Sequence, residues 1–400
     1  MKEEKIMILT MLEEGKITSE EAVKLLEALE DKEDSDDKEN DYSKSDEYKS
    51  EEKNIFDNLE DIGSDIGNAL FDIFDGLKDF STSFGFKNNY DTTSTELEMD
   101  LNSMENPSLD LRAINGDINL IPTDESVLLI KVICQYKKGL LIANEPYFDF
   151  TNADDKITFN PKYNSNISIT LDVLIPEKFY SQIKLNTTNG KIYMKKLSSR
   201  SIKCETSNSY IELEGGNIDL IDLTSKNGKI MIKDINSKKI QTYTTNASIE
   251  IKDTNSETID AKTGNGNILF NNIKSADISC KTSSSLIELN SIDSKSISLV
   301  TSSGKIILSD IDTANTNNIN LITSNGSITS EMLTLNKEAI FDLETSMGNI
   351  NLDLPSLVYT TNKQVNLGLK KIVAHSIDYE LNKDHLKFVA STSNGSITIN

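Results

Sequence analysis

TTNGKIYMKKLSSRSIKCE (187–205), TSNSYIELEGGNIDLIDLT (206–224) and SKNGKIMIKDINSKKIQTY (225–243) are three consecutive nineteen-residue segments with one pattern. In each, a small residue at the fourth place is followed two and four residues later by apolar side chains. With that small residue as position zero, Gly190, Ser209, Gly228, Ala247, Gly266, Ser285 and Gly304 are equivalent. Ile192, Ile211, Ile230, Ile249, Ile268, Ile287 and Ile306 stand two residues after them. Equal spacing over seven copies means equal units stacked along an axis, because only then does each side chain lie on its like.

Four residues after zero come Met194, Leu213, Ile232, Ile251, Phe270, Leu289 and Leu308, so positions two and four share one face of a short strand. Ile202, Ile221, Ile240, Ile259, Ile278 and Ile297 follow at twelve, with Cys204, Leu223, Thr242, Ala261, Cys280 and Leu299 at fourteen. That is a second strand facing the first. Strand, turn, strand, turn in nineteen residues predicts a mainly β protein, a parallel β-solenoid or single-stranded β-helix, right-handed by the rule for parallel crossovers. Each inward Ile contributes roughly 1.5–3 kcal/mol on burial.

A second rhythm runs at thirty-eight. At the outward position three, Tyr193, Met231, Leu269 and Ile307 alternate with Glu212, Glu250 and Glu288. A thirty-eight-residue coil would gather the first four into a continuous apolar stripe, a docking surface for a helix. A nineteen-residue coil is favoured, because the longer one stacks the three glutamates at strand spacing, where like charges repel.

The turns read TTNG, TSNG or a relative, with Gly190, Gly228, Gly266, Gly304, Gly326 and Gly395 at zero. Asn-Gly suggests a positive φ. Thr at three before zero shares the inward parity, so its hydroxyl is expected to bond turn backbone. The spacing loosens to twenty-two at Gly326 and Gly348. The apolar runs VNLGL and LKFVA in the excursion 356–388 suggest strands that cap the open end. Upstream, 108–120, 127–136 and 167–175 read as strands, and the solenoid spans 95–400.

Residues 1–30 predict a helical hairpin. Gly15 ends the first helix and a Thr18/Glu21 capping box opens the second. Two helices this short need a partner or a second copy to cover their apolar faces. Residues 31–54 are an acidic, disordered linker. Residues 55–86 predict an amphipathic helix, with Ile55, Leu59, Ile62, Ile66, Leu70, Ile73, Leu77, Phe80 and Phe84 at steps of three or four. This helix is the expected cover for the outward stripe.

Net charge is −23 with only two arginines, which disfavours nucleic acid. There is no apolar run of transmembrane length and no signal-peptide pattern, so the expected location is cytoplasmic, or cell-surface by a non-classical route. Cys204 and Cys280 lie four repeats apart, about 19 Å in the stack, too far for a disulfide. His375 and His385 have no metal spacing. The stretch SDIDTANTNN (309–318) lacks a calcium-loop register. No nucleophile elbow, phosphate loop or cluster of carboxylates with Arg stands out, so no catalytic residue, metal or cofactor is expected and the chain reads as non-enzymatic.

MLEEGKITSEEAVKLLEAL (11–29) resembles the SHOCT-like hairpin of LiaX/YvlB-type bacterial proteins, and the NGxI phrase with its closing TSNGSITI resembles their putative-adhesin β-solenoid. The resemblance implies a role in Gram-positive cell-envelope stress, linked to a membrane histidine kinase and to antimicrobial peptides. It brings no catalytic residues. The expected function is a regulatory protein whose solenoid binds an envelope component or a cationic peptide, attracted by acidic charge, and whose hairpin associates with a protein. The alternatives are a surface adhesin or scaffold and, least favoured, a carbohydrate-active β-helix enzyme.

Overall fold

A computed structural model of the protein describes residues 89–141, 145–332, 335–363, 368–381 and 383–400. The chain divides after Ile73 into two units, and every described residue belongs to the second, Phe74–Asn400. The hairpin expected over 1–30, the linker over 31–54 and the helix over 55–86 lie outside the described residues. All regular structure among the described residues is β, in one continuous sheet of 24 strands, and none of them forms a helix able to cross a membrane.

The repeat has a single reading in space. Ile192 pairs in parallel with Ile211, Ile211 with Ile230, and so on through Ile249, Ile268, Ile287 and Ile306. One coil therefore takes nineteen residues, and the thirty-eight-residue coil is excluded. All seven of these isoleucines are buried, as are Ile202, Ile221, Ile240, Ile259, Ile278 and Ile297 on the facing row. The core is a pair of aliphatic ladders running the length of the stack.

In three coils a large side chain at position four shares the core with a small one at position fourteen. Met194 shares its coil with Cys204, whose Sγ lies 3.5 Å from the Met194 sulfur. Ile251 shares its coil with Ala261, and Phe270 with Cys280, all buried.

In the first complete coils the two predicted strands run as one fifteen-residue strand, Ile192–Thr206 or Ile211–Ser225, bent in the middle by one residue. Lys196, Gly215, Asp234, Asp253, Asn272, Ser291 and Asp310 have φ between 47° and 70° and recur every nineteen residues. A single left-handed residue turns the corner like a bulge, which is why Gly, Asn, Asp and Ser dominate the column.

Both ends depart from chain order. Near the start, Leu109 lies between Ile157 and Ile183, and Ile118 between Leu171 and Ile192. Near the finish, Ile397 lies between Ile328 and Ile350, and Phe388 between Ile319 and Phe341. The run LKFVA, expected as a cap, is thus the strand Leu386–Thr392 in the stack interior. Most of VNLGL lies outside the described residues. Antiparallel strands do the capping: Tyr90–Asp100 on Val127–Lys137, Phe148–Ala153 on Lys156–Pro161, and Leu357–Lys363 on Lys370–Ser376. These block the parallel edges from templating further coils.

Candidate binding faces of the coils

Four surfaces run along the stack: two outward strand faces, the left-handed corner and the TSNG edge. The TSNG edge is built from inside outward. Thr263 Oγ1 donates to the Ala247 carbonyl of the preceding coil at 2.9 Å and accepts the Gly266 N–H at 3.1 Å. Thr323 does the same with Gly304 and Gly326 at 3.0 and 3.2 Å. The expectation that this hydroxyl bonds turn backbone is met, and it also ties each coil to its neighbour.

The glycines act otherwise than expected. Gly190, Gly228, Gly266, Gly304, Gly326 and Gly395 do not have positive φ. They are glycine because of close approach: a Cβ on Gly228 would stand 1.6 Å from the Ser209 carbonyl oxygen, and one on Gly266 1.7 Å from that of Ala247. Beside them an amide ladder climbs the edge. Asn227 Nδ2 donates to Asn208 Oδ1 at 2.6 Å, Asn246 to Asn227 at 2.7 Å and Asn265 to Asn246 at 2.8 Å.

On the outward face of the first strands, Tyr193, Met231, Leu269 and Ile307 occupy alternate coils, separated by Glu212, Glu250 and Glu288 in direct register. The continuous apolar stripe therefore does not exist. The thirty-eight-residue rhythm is instead an alternation between coils that keeps the glutamates about 10 Å apart, two strand spacings. Lysines on neighbouring coils pair with one of these glutamates and with Glu214 beside them: Lys229 Nζ lies 2.8 Å from Glu250 and Lys233 Nζ 3.8 Å from Glu214. The Tyr193 hydroxyl donates to Glu214 at 3.2 Å. Burial, and secondarily the Glu214 charge, push the Glu212 carboxyl above the usual range.

On the outward face of the second strands, Asn186, Glu205, Thr224 and Tyr243 stand in register on four successive coils. Together with Thr188, Ser207, Lys226 and Thr245 of the turns they line a groove of about 460 Å³. Tyr243 is 48% exposed. Position fifteen gave no signal in the sequence, because its residues share no side-chain type; only the register aligns them.

The remaining candidates are accounted for locally. Cys134, Cys204 and Cys280 are free and buried, and burial pushes the Cys134 thiol up to about 12. His375 and His385 flank Tyr379 at ring distances of 5.3 and 5.0 Å. In the acidic stretch 309–318, Asp312 accepts the Ala314 N–H at 3.0 Å and the Asn315 amide at 2.9 Å, while Asp310 accepts the Ser291 hydroxyl at 2.7 Å. Among the described residues no group of acidic, His and Cys side chains is arranged to hold a metal ion.

Charge is unevenly spread. Residues 1–88 hold 26 acidic residues against 11 lysines, a net −15, while residues 89–400 hold 38 against 30 cations, a net −8. From Gly190 to Ile322 the count is 15 acidic residues to 16 cations. The coils are close to neutral.

These features define a β-solenoid of stacked parallel coils with hydrogen-bonded turn ladders and antiparallel caps. Residues 148–289 match the family model of the Toastrack DUF4097 domain, and residues 3–34 that of a SHOCT-like domain. The two matches stand in the order that the sequence resemblance implied, a SHOCT-like segment followed by a Toastrack domain. The chain is 24% identical over 217 residues to the uncharacterized protein YvlB of Bacillus subtilis, covering 52% of this chain and 58% of that one. The coils are also similar to a putative adhesin from Parabacteroides merdae, at 13% identity and TM-score 0.40 over 60% of this chain and 95% of that one. A putative cell adhesion protein from Clostridium sporogenes is similar at 12% identity and TM-score 0.22, over 77% and 99%.

Proposed function

We propose that this protein is a non-enzymatic binding scaffold of the cell envelope that serves envelope stress signalling. Its coils hold an envelope component, and its SHOCT-like segment associates with a protein partner or a second copy. The observation that carries the reading is the division of labour within each coil: inward hydroxyls and edge amides are bonded from coil to coil, while outward rows repeat at strand spacing on a rigid support. Pre-organised surfaces of this kind bind with little ordering cost.

The charge distribution separates two ligand classes. The near-neutral coils suit an uncharged or mixed-charge envelope component. A cationic antimicrobial peptide would be drawn to residues 1–88, where the negative charge is concentrated. This moves the peptide from the solenoid, where total charge alone had put it.

Two measurements test the reading. Intact cells treated with a non-penetrating protease should lose the solenoid while a cytoplasmic control survives; full protection would place the coils inside and refute an envelope ligand. The full-length protein should cosediment with isolated cell wall in a manner little affected by salt, whereas capture of a cationic peptide should weaken steeply as salt screens residues 1–88.

A further inference from the structure

We infer that the groove beneath Tyr243 is a binding site for a short neutral oligosaccharide. This deepens the proposed envelope-binding role by naming its ligand class. The inference starts from a contrast within one turn. The inward hydroxyls of Thr187, Thr206 and Thr244 are each donated to the carbonyl at position zero of the coil before. The outward hydroxyls of Thr188, Ser207, Thr224 and Thr245 make no hydrogen bond to another described residue, and all four line the groove. Folding explains the first set and leaves the second unused.

The groove combines three kinds of group. Tyr243 supplies a half-exposed aromatic ring at one end. The free hydroxyls and the Asn186 side chain supply donors and acceptors along the floor. Its lining carries one charge of each sign, Lys226 and Glu205. A charged ligand would find no net attraction here. A pyranose presents a C–H face that packs on an aromatic ring and a rim of hydroxyls that pair with small polar groups. The four coils from Asn186 to Tyr243 span about 14 Å at strand spacing, which suits a short oligomer better than a single sugar.

The chain contains no tryptophan, so Tyr243→Trp puts a single indole reporter on the groove. The full-length variant would be titrated with chitotriose, cellotriose and maltotriose while its emission is followed. At least one trisaccharide should give a saturable change with Kd near or below about 1 mM. Calorimetry on the unsubstituted protein should show the same binding, lost at least tenfold in Tyr243→Ala and retained in Phe179→Ala, which removes another exposed aromatic outside the groove. Both side chains point outward, so melting temperatures should stay near that of the unsubstituted protein. No saturable response to any of the three up to about 10 mM would overturn the inference. So would binding that Tyr243→Ala leaves intact. Cosedimentation of Tyr243→Ala with cell wall at full strength, with no trisaccharide response, would refute the groove and leave the envelope role standing. Trisaccharide binding without cell-wall binding would support the groove and refute that role.

Discussion

The side-chain amide of Asn394 donates to Asn325 Oδ1 at 2.6 Å, although the two stand 69 positions apart in the chain. The last coil is therefore inserted into the stack, with Ile397 fully buried between Ile328 and Ile350. Chain termini usually tolerate change. Here Ile397→Asp should destabilise as much as Ile249→Asp in the middle of the stack, by about 4 kcal/mol or more, because each buries an unpaired carboxylate. Chemical denaturation followed by circular dichroism tests this. A loss under about 1 kcal/mol at Ile397 would mean that the final coil frays without disturbing its neighbours.

Glycine at position zero is a matter of contact. Adding a methyl group at Gly228 drives it into the Ser209 carbonyl, whereas Ala247, one coil further, already carries one. Gly228→Ala should cost about 2–3 kcal/mol as the two turns are forced apart. Ala247→Gly should cost under about 1 kcal/mol. Equal effects at the two sites would show that the turns do not differ in their packing.

The residues differ in how much of this fold they disclose by sequence alone. Ile192 through Ile306 announce both the solenoid and its pitch, since identical apolar side chains at equal spacing over seven copies stack only in equal coils. The choice of nineteen residues per coil from Glu212, Glu250 and Glu288 agrees with the register, which sets these three glutamates on alternate coils. The turn glycines mislead, because close backbone approach and positive φ select the same residue. The insertion of Ile397 between Ile328 and Ile350 is hidden, since a repeated phrase fixes the shape of a coil and leaves its place in the stack open. The Tyr243 groove is hidden for a related reason: it is assembled from unlike residues at one repeat position.

The two sets of turn hydroxyls should respond differently to removal. Thr263→Val leaves the Ala247 carbonyl and the Gly266 N–H without their partner and should cost about 1–3 kcal/mol. Thr245→Val, two residues beyond Tyr243 on the outward side, should change stability by less than about 0.5 kcal/mol. It should nevertheless weaken trisaccharide binding, since its hydroxyl lines the groove. Comparable stability losses at both positions would mean the outward hydroxyls belong to the turn architecture.

The cysteines give a test of core integrity that depends on pH. Desolvation by burial raises the thiol of Cys134 to about 12 and is also the main force pushing those of Cys204 and Cys280 well up. A thiol raised in the folded state keeps its proton there at a pH where the unfolded chain has begun to lose it. Stability from these groups is therefore unchanged below the unfolded value near 8.5 and falls as pH rises above it. The thiolate is the reactive form, so at pH 8 a disulfide reagent should titrate no thiol in the folded protein and three after denaturation. Between about pH 9 and 11 the denaturation midpoint should fall, and in Cys280→Ala it should fall less. Rapid labelling of one thiol at pH 8 would reveal a coil that opens locally, and mass spectrometry would identify which.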